Sequence, residues 1–129
     1  MKNWYWIVGI VVLILIFIVV FRGFNGRKDS WIKTNGAWIK HGNPLNIPSY
    51  ILDSDTLQCT LNLYQSAYTI NMQFNSQCLG ACGNYSIDIV NVPRNSDDNL
   101  PENQCSEYKN SITNHFVELD KDGNIVKIV

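Results

Sequence analysis

The sequence predicts an α+β domain carried behind a single N-terminal transmembrane helix, and three observations carry that prediction. Residues 4–21, WYWIVGIVVLILIFIVVF, contain no charge and no proline. Beyond them, two pairs of apolar alternating runs flank Asn-Gly and Asp-Gly, the strongest short-range hairpin signals. Between those hairpins lies one apolar stripe at helical spacing. The expected sheet is mostly antiparallel, with one or two helices and disulfides. The boundaries follow as an anchor over residues 1–22, a juxtamembrane linker over 23–28 and a domain over 29–129.

The 18 residues from Trp4 to Phe21 would reach roughly 27 Å as a helix, close to the ~30 Å hydrocarbon thickness of a bilayer. Arg22, Gly23 and Phe24 follow the run and offer no small-x-small cleavage site, which favours a retained signal anchor over a cleaved signal peptide. Trp4, Tyr5 and Trp6 fit an aromatic belt at one interface. No polar face exists for a soluble domain to expose. The lipid bilayer is thus the partner expected for Trp4–Phe21. Gly23 to Lys28, GFNGRK, reads as a short flexible linker.

Charge divides the chain at Asp29. The first 28 residues hold Lys2, Arg22, Arg27 and Lys28 and no acid, a net +4, whereas the remainder holds six Lys or Arg and all 11 acids, a net −5. An acidic domain without a basic run argues against nucleic-acid binding and against docking on anionic lipid. The basic residues just after the apolar run favour a cytoplasmic domain by the positive-inside rule. The cysteines and the acidic balance point the other way and are given more weight. The expectation is a single-pass protein of the cell membrane with its domain on the extracytoplasmic side.

Cys59, Cys78, Cys82 and Cys105 all lie in the domain. In an exported chain four cysteines read as two disulfides, with three possible pairings that spacing does not separate. A four-thiolate zinc site would show two close pairs, and only Cys78–Cys82 is close. A redox-active Cys78–Cys82 pair lacks the neighbouring Lys, Arg or His that lowers a thiol pKa.

Taken in order, Trp31-Ile32-Lys33 and Trp38-Ile39-Lys40 flank Asn35-Gly36 as the first hairpin. Trp31 and Trp38 either meet over the core or form an exposed aromatic pair for a glycan or peptide, and the core reading is favoured. His41 and the prolines at 44 and 48 mark an extended crossing loop. Asp53 is a helix N-cap, and Leu57, Leu61, Tyr64, Ala67 and Tyr68 follow as a helical stripe; Leu57, Cys59, Leu61 and Leu63 also alternate as a strand would, and the length of the segment favours the helix. Asn71 to Gly83 is polar and reads as a bridged loop. Tyr85 to Val92 alternates as a strand, with Tyr85, Ile87 and Ile89 facing one way and Ser86, Asp88 and Val90 the other. Pro101 opens a short helix to about Lys109, which places Cys105 and Tyr108 on one side. His115–Leu119 and Ile125–Val129 flank Asp122-Gly123 as the closing hairpin.

The run from Trp31-Ile32 through Trp38-Ile39-Lys40-His41-Gly42-Asn43-Pro44 resembles small membrane-anchored or exported bacterial proteins of uncharacterised function. Asp88-Ile89-Val90, Val92-Pro93-Arg94 and Pro101-Glu102-Asn103-Gln104-Cys105 are similar to further runs in that group. The resemblance implies an anchored bacterial origin and a recurring domain, and carries no activity, ligand or catalytic residue with it.

Candidate chemistry is sparse. Glu118-x-Asp120-x-Asp122-Gly123 imitates half of a calcium loop, but Val129 stands where a bidentate Glu is needed, and a hairpin turn explains the same residues. No nucleophile elbow, phosphate loop or paired-His motif occurs. His41, Asp88, His115 and Glu118 are the titratable candidates, of which Asp88, His115 and Glu118 would converge only if the topology brings their strands together. No catalytic, metal-binding or cofactor-binding residue is assigned. The expected function is a non-enzymatic binding or interaction module of the cell envelope, its partner an envelope protein or glycan. A small anchored hydrolase or thiol-redox enzyme is the alternative.

Overall fold

The computed structural model describes residues 2–24 and 29–129, with the side chains of 5–19 and 29–129. In the N-terminal helix α1 (Lys2–Phe24) the residues from Tyr5 to Val19 are apolar on every side and all exposed. Among the described residues no helix is long and apolar enough to cross a membrane. The expected span is therefore unsupported here. Arg27, Lys28 and most of the linker fall outside the described residues, and the side chain of Arg22 is likewise outside them.

The domain is α+β, built on one six-stranded, mostly antiparallel sheet. Its strands are β1 (Ser30–Thr34), β2 (Ala37–His41), β3 (Gln77–Cys82), β4 (Tyr85–Ile89), β5 (His115–Leu119) and β6 (Ile125–Ile128), in the order β1-β2-β6-β5-β4-β3. Every neighbouring pair is antiparallel except β4 and β5. The β1–β2 hairpin turns on Asn35 and Gly36, at φ 50° and 85°, the double left-handed geometry that Asn-Gly tolerates. Helix α2 (Ser54–Thr69) starts where Asp53 accepts the backbone N–H groups of Asp55 and Thr56, satisfying donors that a helix N-terminus leaves without partners.

Alternation along the strands gives the sheet two unlike faces. Ile87, Ile89, Val117, Leu119 and Ile128 point to one face, where Leu57, Leu63 and Tyr64 of α2 close the core. Trp31 and Trp38 are half-buried on this same face, diagonal across the hairpin, and both pack on the core. Trp31 Nε1 donates to Asn46 O at 3.3 Å, and Trp38 meets the Tyr50 ring edge-on at 5.8 Å. The core reading of the two tryptophans is thus the observed arrangement.

The opposite face carries Ser86, Asp88, Phe116, Glu118 and Lys127. It is covered over β3–β5 by the connection from β4 to β5. A parallel pair needs such a crossover, and here it holds two short 3₁₀ turns, Ser96–Asn99 and Pro101–Asn103, and the single-turn helix α3 (Ser106–Lys109). The helix expected from Pro101 to Lys109 is therefore split. Gln104 takes an extended ψ of 147°, and Cys105 is bonded to β3.

The bridged loop expected over Asn71–Gly83 is corrected in part: Gln77–Cys82 is the edge strand β3. Its cysteines show how the two layers are held. Cys59 of α2 bonds Cys82, and Cys105 of the crossover bonds Cys78. In a regular strand residues four apart share a face. A bulge between Cys78 and Gly80 shifts the register, so Cys78 pairs with Asp88 while Cys82 pairs with Tyr85. One disulfide therefore pins α2 to the core face, and the other pins the crossover to the polar face.

Candidate functional site

Asp88 and Glu118 are register partners on the parallel strands β4 and β5, so their carboxyl groups leave the polar face side by side. Lys127 of β6 is paired with Glu118 on the next strand. The crossover closes over them to form a pocket of about 100 Å³. Ser86, Asp88, Phe116 and Glu118 make its floor, and Arg94, Asp98, Gln104, Cys105 and Tyr108 make its walls.

Most of the charges here are spent on one another. Arg94 Nη1 donates to Glu118 Oε1 in an ion pair, and Nη2 reaches Asp98 O at 3.2 Å and Asn99 Oδ1 at 3.4 Å. Lys127 Nζ lies 3.8 Å from the same Glu118 oxygen and 4.9 Å from the Phe116 ring centroid. Glu118 is thus a buried carboxylate held between two cations, as buried charge requires. Asp98 is 1% exposed. Burial alone would raise its pKa. The backbone N–H groups of Asn95 and Asn91 at 2.8 and 2.9 Å, with Asn91 Nδ2 at 3.1 Å, hold it below the usual carboxylate range.

Asp88 differs from both. Its Oδ1 is buried and has no hydrogen-bond partner. Burial, reinforced by the neighbouring charge of Glu118, pushes its carboxyl up to about 7 against the opposing pull of Arg94. An acceptor buried without a donor is costly. It is the one buried carboxyl oxygen here that the fold does not satisfy among the described residues.

Of the sequence candidates, Asp88 and Glu118 come together. His115 does not join them. It lies on the core face, its ring stacked on Tyr85 at 5.0 Å and its Nδ1 3.0 Å from Val129 O. His41 sits exposed at the end of β2, away from the pocket. Asp120 and Asp122 belong to the β5–β6 turn, where Asp120 Oδ1 accepts the backbone N–H groups of Asp122 and Asn124. The close Cys78–Cys82 pair is not a bridge, since each cysteine bonds elsewhere. Both sulfurs near Glu107, those of Cys78 and Cys105, are in a disulfide and offer no thiolate to a metal.

Sequence reasoning missed Arg94, Asp98 and Lys127. For Lys127 the signal was partial: the closing hairpin lays its strand beside that of Glu118, but the pairing of 127 with 118 follows a register shift between Glu118 and Leu119. Arg94 and Asp98 reach the site only through the crossover, and a loop arginine carries no such signal. Comparison with family models, curated proteins and solved structures finds no match to this chain.

Proposed function

We propose that this chain is a membrane-anchored binding module of the cell envelope, its domain on the extracytoplasmic side, and that the Asp88–Glu118 pocket is its ligand site. The observation that carries the site is Asp88 Oδ1, a buried acceptor without a partner in a pocket whose other charged groups are paired. A fold under selection for stability alone gains nothing from such a group, whereas a ligand donor would complete it. Two disulfides support an oxidising compartment. The charge-free run from Trp4 to Phe21 supports an anchor.

A second reading is favoured by the same raised carboxyl, since a general acid needs a pKa near its working pH. On that reading the chain is a small anchored hydrolase. Binding is preferred because Glu118 is tied to Arg94 and no histidine reaches the pocket among the described residues. An exposed Cys78–Cys82 bridge would have favoured the thiol-redox alternative, and the pairing is different.

Location is tested by treating intact cells that express the full chain with a membrane-impermeant maleimide. Labelling only after a reductant, on protein that stays with membranes through an alkaline wash, is the expected result. Reduced cysteines that the reagent reaches only after lysis would refute the placement.

A further inference from the structure

We infer that the Asp88 pocket takes a primary ammonium group, carried by a small amine or presented at the tip of a larger molecule. This inference rests on the pocket being a ligand site, and it adds the chemical class.

Charge selects a cation. Arg94, the cation in the pocket lining, is committed to Glu118, Asp98 O and Asn99, and Lys127 on the neighbouring strand is committed to Glu118 and the Phe116 ring. Asp98 is satisfied by backbone donors. With Asp88 ionised the group carries one uncompensated negative charge, so an anion is repelled. A neutral apolar group would leave Oδ1 without a donor. A cation that donates hydrogen bonds satisfies both demands at once.

Size selects a compact group. A pocket of about 100 Å³ is well below the ~300–1,000 Å³ of sites that enclose a whole drug-sized ligand. It admits a group of a few non-hydrogen atoms. An ammonium is compact, whereas a guanidinium is a wider planar fork of the kind Arg94 already supplies. Hard metal ions want six or more oxygen ligands, and one free carboxylate does not make that shell. Tyr108, with its ring edge-to-face on Phe116 at 5.2 Å, gives an aromatic wall that suits a cation.

Binding will depend on pH, because the ammonium requires Asp88 ionised. The charged and titratable groups around that carboxyl are Glu118 on β5, Lys127 on β6, and Arg94, Asp98 and Tyr108 on the crossover. With the carboxyl titrating at about 7, affinity should fall about 30-fold from pH 8 to pH 5.5 by proton competition alone.

The test uses the full ¹⁵N-labelled chain in detergent micelles, titrated with methylammonium, 1,5-diaminopentane, acetamide and acetate while amide shifts are followed. Saturable methylammonium shifts confined to pocket residues such as Ser86, Asp88, Gln104 and Phe116 are expected. They should weaken about 30-fold at pH 5.5 and at least about tenfold in D88N, the loss expected for one charge-assisted hydrogen bond. Near-UV circular dichroism checks that D88N keeps its fold, and should it not, the pH dependence in the native chain decides alone. A diamine that binds more tightly than methylammonium identifies a larger molecule as the source, and equal binding identifies a small amine. If acetamide or acetate moves the pocket residues and methylammonium does not, the ammonium inference is overturned while the pocket remains a ligand site. If no probe moves them, both readings fall.

Discussion

Replacing Asp88 by Asn should stabilise the protein near neutral pH, although it alters the proposed site. Below pH 3.8 the carboxyl is protonated in the folded and unfolded chain alike, so it contributes nothing to the pH dependence. Between 3.8 and about 7 the unfolded chain releases the proton while the fold retains it. Over that window the native state loses about 1.4 kcal/mol per pH unit. Above pH 7 the loss is complete, about 4 kcal/mol as an upper figure and about 2–4 kcal/mol once solvent at the pocket mouth is allowed for. Asn does not titrate, so the stability of D88N relative to the native chain should climb from pH 4 to pH 7 and then level off. Urea unfolding of the domain at pH 4, 5.5 and 8, followed by tryptophan fluorescence of the full chain in micelles, measures it. A D88N-minus-native difference that stays flat with pH, or turns against D88N at pH 8, would refute the reasoning. Such a result would mean that Asp88 is ionised and satisfied in the fold.

The two disulfides close separations of 23 and 27 residues, so losing either should cost about 3.5 kcal/mol by the chain-entropy relation. In urea midpoints the pairs C59S/C82S and C78S/C105S should look alike, but only C78S/C105S should also abolish methylammonium shifts, since that bond pins the crossover. Arg94→Ala leaves the 7%-exposed Glu118 side chain with Lys127 alone and should cost about 2–3 kcal/mol in a thermal melt. R94K, which keeps the charge without the fork, should recover only part of it. Gly123→Ala should cost more than about 1 kcal/mol. Its φ is +81°, and a Cβ there would come within 2.6 Å of Tyr64 Cε1. Tyr64 is fixed by its own donation to Lys121 O at 3.1 Å.

What was legible in the sequence is what local chemistry decides. Asn35-Gly36, the Asp53 cap and the alternation of Tyr85–Ile89 each specify their element within a few residues, and each element is observed. Strand β3 was not legible. Gln-Cys-Leu-Gly-Ala-Cys has little β-branched or aromatic character, and it is held by two covalent bonds and one ladder on its inner side. The split of the expected 101–109 helix has a similar origin, because Cys105 must reach Cys78 across the sheet face. The pocket was half legible. Asp88 and Glu118 stand out as acids on strands, but their meeting depends on a parallel register between segments 30 residues apart. That register is set by a crossover and not by neighbours in the chain. Arg94 acquires its role only when the crossover folds back.

The measurement that bears most directly on the account is the pH titration of the Asp88 side-chain carboxyl carbon by ¹³C NMR in the full chain. A midpoint near 7 is expected, the position set by burial and by Glu118, while Asp98 should titrate below the ordinary carboxylate range. A midpoint for Asp88 near the ordinary 3.8 would show that its carboxyl is already satisfied in the fold. The case for a ligand-binding pocket would then be contradicted at its source.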